Sequence, residues 1–229
     1  MSTTAILLCA GRGERLAAGV DKALAPLAGR PLFTWSLEAL ERCPAIHAIV
    51  IVGPVRTLKE ALAASGLNAA KVIAWSEGGR ARQHSVARGL HQLPEGCTHL
   101  AVHDCARALV TPALIARVVG DALEHGAAIA ATPLADTLKR VALDVIETTV
   151  PRQGLWCAQT PQAFRRDWLE QAHAAATAIA TDDAALVEAQ GHRVRVTMGE
   201  GLNLKITTPH DLAFAEAWLA HRAAPTGGA

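Results

Sequence analysis

Six apolar runs of strand length recur along this chain, at Ala5–Ala10, Ala48–Val52, Val72–Trp75, Leu100–His103, Ala127–Thr132 and Val194–Met198, with stretches of helical period between most of them. A strand that is apolar on both faces must be covered on both, and parallel strands joined by crossover helices are the arrangement that covers them. The expected class is α/β, with a mostly parallel central sheet and helices on both faces. A length of 229 residues, 51% of them hydrophobic, suits one substantial core rather than two small ones. One domain is therefore expected over residues 1–222. Residues 223–229 are small and include Pro225, Gly227 and Gly228, and read as a flexible tail.

Local chemistry places several helix starts. Thr111-Pro112 offers a hydroxyl cap with proline at the first helical position, and Thr208-Pro209-His210-Asp211 repeats it with an acid in the first turn. Thr181-Asp182-Asp183 reads as a third start, its carboxylates suited to the positive end of the helix dipole. Alanine-rich stretches at Leu58–Ala64 and Leu169–Ala180 are strong helix formers. One segment breaks the alternation: Thr137 to Val150 reads as two β-rich stretches around a turn near Leu143-Asp144, an arm over about 137–157. A lone two-stranded ribbon is marginal in water, so the arm is expected to pack on another surface, most economically a second copy of the chain.

The first run ends in Cys9-Ala10-Gly11-Arg12-Gly13-Glu14-Arg15-Leu16, with Lys22 six residues on. A glycine turn after a strand presents backbone N–H groups to an anion, and nearby cations neutralise it. A dinucleotide fingerprint would need glycine where Leu16 stands, and a phosphate loop would need Gly-Lys-Ser/Thr. Neither is present, which leaves a triphosphate-type loop or a plain strand-to-helix turn with incidental charges. His103-Asp104-Cys105-Ala106-Arg107 closes another predicted strand, on the sheet edge where open α/β sheets bind ligands. Asp104 can hold a hydroxyl or a hydrated magnesium ion and Arg107 can grip a phosphate, or the pair can merely cap a turn. Gly78-Gly79 lets the backbone approach a flat base, and Ser85 lies where its hydroxyl reaches a base or ribose. Arg152, Thr160-Pro161-Gln162 and Asn203-Leu204-Lys205 supply further cationic and hydroxyl groups.

Composition excludes other classes. A net charge of +1 without any Lys/Arg run argues against a nucleic-acid surface, and the absence of Tyr with only 3 Phe removes stacking platforms for single strands. The 5 scattered cysteines form no C-x-x-C pair, which suggests neither a disulfide framework nor a zinc cluster and fits a reducing cytoplasm. The apolar run ending at Ala10 is too short for a membrane span and lacks the basic flank of a signal peptide.

Jointly, Ala10-Gly11-x-Gly13-x-Arg15-Leu16, Lys22, Gly78-Gly79-x-x-Arg82-x-x-Ser85-Val86, His103-Asp104-x-Ala106-Arg107, Asp136-Thr137-x-Lys139, Arg152-x-Gly154-Leu155-Trp156, Thr160-Pro161-Gln162, Thr181-Asp182 and Asn203-x-Lys205 carry a resemblance. In this order and spacing, from about Ala5 to Leu219, the chain resembles the 2-C-methyl-D-erythritol 4-phosphate cytidylyltransferases of the non-mevalonate isoprenoid route. The resemblance implies a Rossmann-like nucleotidyltransferase domain, transfer of CMP from CTP to methylerythritol phosphate with magnesium, and a homodimer with shared active sites. It implies that Arg15 and Lys22 stabilise charge on the triphosphate and that Lys205 bridges both phosphates. It further implies that Ala10, Gly11, Gly13, Gly78 and Ser85 hold the nucleotide, while Asp104, Arg107, Thr137, Arg152 and Thr160 hold the second substrate, with Thr137 and Arg152 from the neighbouring subunit. Direct contact of Asp104 with magnesium, as against contact through water or phosphate, stays open. Two prolines usual in the family are missing: the chain has Asp21-Lys22-Ala23 for Pro-Lys-Gln, and Ala108 after Arg107. Their loss frees two site loops from fixed φ angles, which predicts less preorganised Lys22 and Arg107. The alternatives are a cytidylyltransferase for another polyol phosphate, such as ribitol 5-phosphate, and a nucleotide-binding regulator with a decayed site.

Overall fold

The protein is described here by a computed structural model covering residues 2–11 and 21–223. Gly13 and Arg15, and the tail after residue 223, lie outside the described residues. In chain order the elements are β1 (Ser2–Leu8), a 3-10 turn (Lys22–Leu24), β2 (Pro26–Leu27), β3 (Arg30–Pro31), α1 (Leu32–Arg42), β4 (Ala48–Val52), α2 (Val55–Ser65), β5 (Val72–Ser76), α3 (Arg82–Leu90) and β6 (Cys97–Asp104). There follow α4 (Pro112–His125), β7 (Ala127–Pro133), β8 (Leu138–Ala142), β9 (Val145–Val150), β10 (Trp156–Arg165), α5 (Arg166–Ala175), α6 (Asp183–Ala189), β11 (Arg195–Met198) and α7 (Pro209–Ala223).

Seven strands form the central sheet in the order β11-β7-β10-β6-β1-β4-β5. All neighbours pair parallel except β10, which runs antiparallel to both β6 and β7. The expected α/β class and mostly parallel sheet are present. The period of two explains why the central strands read as unbroken apolar runs: Ala5 and Leu7 of β1 face one core with Leu37 of α1 and Ile115 of α4, while Ile6 and Leu8 face another with Val86 of α3 and Leu169 of α5.

Helix starts follow the capping chemistry. Thr111 accepts a hydrogen bond from Leu114 N–H at the start of α4. At α7 the Thr208 hydroxyl accepts from Asp211 N–H, while the Asp211 carboxylate accepts from the N–H groups of Thr207 and Thr208. Burial opposes ionisation of Asp211, but the two backbone donors outweigh it and pull its pKa down to about 2. The helix expected over Leu169–Ala180 instead spans Arg166–Ala175: the chain leaves it in an extended conformation at Ala176, and Ala180 N–H donates to Gln83 Oε1 at 2.9 Å. Tertiary contacts override alanine's propensity there.

β8 and β9 form the expected two-stranded ribbon around Leu143 and Asp144, whose φ angles of 47° and 62° are both left-handed, as a two-residue hairpin turn requires. The ribbon ends at Val150; Trp156 and Cys157, expected in the arm, belong to β10 and pair with Pro133 and Thr132 in the central sheet. β10 is absent from the six expected strands because its sequence, WCAQTPQAFR, is interrupted by polar residues and a proline.

Candidate active site

β1 has β4 on one side and β6 on the other, so the chain reverses its direction of winding at the C-terminal ends of β1 and β6. Such a switch point opens a crevice beyond the strands. Leu8 and Asp104 are in register there, Cys105 N–H donates to Leu8 carbonyl at 3.0 Å, and Cys9 N–H donates to Val52 carbonyl at 2.7 Å. The ladders thus continue past the strand ends and fix where the following loops leave the sheet.

A cavity of about 200 Å³ lies between these loops, lined by Ala10, Gly11, Lys22, Arg82, Asp104 and Lys205 among others. Five residues proposed from sequence, drawn from four distant segments, therefore meet in one place: Ala10, Gly11, Lys22, Asp104 and Lys205. Gly78 closes against them. A Cβ on residue 78 would lie 2.3 Å from the Ala10 Cβ, so the second glycine turn fits on the first only because residue 78 has no side chain. Ser85 stands behind this turn, its hydroxyl accepting Gly79 N–H at 2.9 Å and donating to Ala81 carbonyl at 3.2 Å.

Asp104 is the electrostatic centre. Its Oδ1 accepts from Arg82 Nε at 3.0 Å and its Oδ2 from Lys205 Nζ at 2.7 Å. Burial disfavours the carboxylate, yet the adjacent Arg82 and Lys205 outweigh that cost and hold its pKa well below the usual range. Arg82 continues to Asp183, with Nη1 2.6 Å from Oδ2, and His173 Nε2 lies 3.1 Å from the other Asp183 oxygen. Burial lowers the Arg82 pKa, but its two carboxylate partners raise it further, so the guanidinium stays charged. Asp182 caps α6 through Ala185 N–H as the sequence suggests, whereas Asp183 is buried and turned to Arg82.

Thr160 lies directly behind Asp104, its hydroxyl accepting Asp104 N–H at 3.1 Å and standing 3.0 Å from His103 Nδ1. His103 is fully buried, and burial, reinforced by Arg107 and opposed by Asp104, lowers its pKa to about 4. Arg107 does not line the cavity: Nη1 donates to Asn203 carbonyl at 2.7 Å and Nη2 to Ala158 carbonyl at 3.3 Å, tying β6 to β10 and to the loop that carries Lys205. Those bonds hold Arg107 where the family's proline would have stiffened the loop. Similarly, Ala23 is buried in the core beside Lys22 and anchors its turn. Thr137 and Arg152 stand apart from the cavity, exposed at the base of the ribbon, with Arg152 donating to Ala135 carbonyl.

Sequence reasoning did not assign Arg82, Asp183 and His173 to the site. Arg82 had a signal, its place three residues after Gly79 in the shared motif. His173 had none, and Asp183 only its place at a helix start, since the contacts of Asp183 with Arg82 and His173 arise only in the folded chain. Among the described residues no three or more His, Cys, Asp or Glu converge on one point. Both Asp104 oxygens already hold cations, so these residues do not form a protein cage for magnesium.

The family model for 2-C-methyl-D-erythritol 4-phosphate cytidylyltransferase matches residues 3–221. The enzyme of that name from Gloeobacter violaceus is 46% identical over 220 residues, 93% of this chain and 94% of the relative. That from Prochlorococcus marinus is 44% identical over 225 residues, 95% of this chain and 98% of the relative. Among solved structures, the Thermus thermophilus 2-C-methyl-D-erythritol 4-phosphate cytidylyltransferase superimposes with a TM-score of 0.79 at 33% identity, covering 96% of this chain and 100% of its own. The 4-diphosphocytidyl-2C-methyl-D-erythritol synthase from Anaerococcus prevotii gives 0.80 at 27% identity, covering 96% and 98%. With its switch-point cavity and this extent of similarity, the chain belongs to the 2-C-methyl-D-erythritol 4-phosphate cytidylyltransferase family.

Proposed function

We propose that this protein transfers CMP from CTP to 2-C-methyl-D-erythritol 4-phosphate. An oxygen of the substrate phosphate attacks the α-phosphorus of CTP in line, the bond to the β-phosphate bridging oxygen breaks, and pyrophosphate leaves. The observation that carries this reading is the meeting of Lys22, Lys205 and Arg82 around Asp104 in a cavity floored by the Ala10-Gly11 turn. Such transfer needs position and charge neutralisation more than covalent chemistry by the protein. A phosphate monoester is already anionic at neutral pH, so no general base is needed.

In this reading Arg15 and Lys22 oppose the charge that develops on the triphosphate, and Lys205 keeps one of its three N–H groups on Asp104 while the others bridge the two reacting phosphates. Backbone at Ala10 and Gly11, which line the cavity, receives the phosphates, a role the glycine-loop motif extends to Gly13. The Gly78 turn, backed by Ser85, receives cytosine. Asp104 bounds the methylerythritol phosphate pocket, with Thr160 behind it, and Arg107 reaches that substrate only by exchanging its bonds to the Asn203 and Ala158 carbonyls. Magnesium, if brought in with CTP, would supply further charge neutralisation beside Lys22 and Lys205, in keeping with its preference for phosphates and water over an all-protein cage.

The protein acts as a homodimer in this account. Val141, Leu143, Val145 and Ile146 of the ribbon are 54%, 97%, 66% and 58% exposed, apolar surface on both faces and at the tip that a second copy would cover. Thr137 and Arg152, at the base of that ribbon and away from their own chain's cavity, would then serve the neighbour's. All five cysteines are free thiols, which suits a cytoplasmic enzyme. No helix among the described residues is long and apolar enough to cross a membrane.

The test is pyrophosphate release from CTP and magnesium, with methylerythritol 4-phosphate and ribitol 5-phosphate assayed side by side. Turnover with the first alone is expected. Turnover only with ribitol 5-phosphate would move the protein to another polyol phosphate, and silence with both from folded, CTP-binding protein would favour a regulator with a decayed site.

A further inference from the structure

The contact between Arg82 and Asp104 is one-handed. Arginine meets a carboxylate most favourably along one edge of the guanidinium, Nε with Nη2, each taking one oxygen. Here Nε takes Asp104 Oδ1 at 3.0 Å, but Nη2 is buried without a hydrogen-bond partner, and the second Asp104 oxygen goes to Lys205 instead. Leaving a buried charged donor unsatisfied is unfavourable, so something must hold the guanidinium back from the two-bonded geometry. Nη1 shows what does: it lies 2.6 Å from Asp183 Oδ2, on the opposite side of the group. Asp183 is itself fixed, 1% exposed in the first turn of α6, with its other oxygen 3.1 Å from His173 Nε2 on α5.

We propose that Asp183 is a positioning residue for Lys205. By holding Arg82 through Nη1 it keeps one Asp104 oxygen free of arginine, and that oxygen is what parks the Lys205 ammonium at the mouth of the phosphate cavity. Charges alternate along the line Asp183, Arg82, Asp104, Lys205, so each member is neutralised by its neighbours. The effect is transmitted by hydrogen bonds across α6, α3, β6 and the loop before α7. Without the Asp183 charge, Arg82 gains a bond by taking both Asp104 oxygens, Nη2 is satisfied, and Lys205 loses its fixed partner.

The inference rests on the reading of Lys205 as the group that bridges the reacting phosphates, and a double-mutant cycle separates the two. Wild type, Asp183→Asn, Lys205→Ala and the double variant are compared in steady-state kinetics with CTP, magnesium and methylerythritol 4-phosphate. Asp183→Asn is expected to lower kcat about tenfold while the KM for CTP moves less than about threefold, and the double variant to match Lys205→Ala within about twofold. A structural role alone would lower the unfolding temperature and leave losses that multiply in the double variant. Multiplying losses, or an unchanged kcat in Asp183→Asn, overturn the proposal; an undiminished kcat in Lys205→Ala overturns the reading of Lys205 beneath it. His173→Gln, which leaves Asp183, Arg82, Asp104 and Lys205 in place, tests the same link if Asp183→Asn does not fold. It should cost about threefold in kcat, and the cost should vanish in the Lys205→Ala background; persistence of that cost there refutes the link.

Discussion

Gly78 is packed so closely on Ala10 that a Cβ at residue 78 would come within 2.3 Å of the Ala10 methyl carbon. This contact joins the turn after β5 to the loop after β1, and so sets how far apart the two sides of the nucleotide site stand. Gly78 is not among the glycines with positive φ, so space alone requires glycine here. Gly78→Ala should therefore raise the KM for CTP by about tenfold, the effect of about 1–3 kcal/mol of overpacking. Combining it with Ala10→Gly removes the opposing methyl and should recover most of the loss. Steady-state kinetics on both variants checks this, and no recovery in the pair would place the effect elsewhere.

Lys22 lines the cavity from a short turn anchored by buried Ala23. As a charge partner of the transition state it should be worth about two or more orders of magnitude in kcat when cut to alanine. Single-turnover CMP transfer measures this directly. A near-normal rate in Lys22→Ala would remove the residue from the mechanism.

His103 ties the site to acid stability. Its pKa falls from 6.5 to about 4 on folding, so the unfolded chain binds its proton first as pH drops. Stability from this group is complete above about pH 6.5 and declines as pH falls towards 4. That depression corresponds to about 3 kcal/mol. Urea unfolding at pH 7, 5.5 and 4 should show that decline in the wild type and a flatter profile in His103→Gln. Asp104, whose pKa is depressed, adds its own loss only below the ordinary carboxylate range, about pH 4.

Arg152 and Lys22 lie in different places on one chain, the first exposed at the ribbon base and the second in the cavity. If the arm serves the neighbouring subunit, Arg152→Ala should raise the KM for methylerythritol 4-phosphate far more than that for CTP. Mixing it with Lys22→Ala after subunit exchange should then restore activity in heterodimers that carry one intact site. Verified heterodimers that stay inactive would show that Arg152 acts within its own chain.

Much of this was legible in the sequence, and the misses have physical reasons. Strands apolar on both faces, such as β1 and β4, could be read directly, as could the caps at Thr111 and Thr208, because burial and capping leave local signatures. β10 could not: Gln159, Thr160 and Gln162 are buried polar residues whose partners, among them Asn203 and Asp182, are distant in sequence. The meeting of Ala10, Gly11, Lys22 and Asp104 was foreseeable from a glycine turn and charges near predicted strand ends, whereas Lys205 joined them only through the family resemblance. Asp183 was read as a helix-start acid, and that reading fits its neighbour Asp182. Its bond to Arg82 spans 101 residues of sequence, and no local pattern announces it.

The reaction itself is tested most directly by following phosphorus-31 resonances while the wild-type protein, CTP and magnesium act on methylerythritol 4-phosphate labelled with oxygen-18 in its phosphate. Attack by that phosphate on the α-phosphorus predicts a diphosphate diester that carries all of the label, including the bridging oxygen, and pyrophosphate that carries none. Label in the pyrophosphate, or consumption of CTP without the diester, would contradict the account.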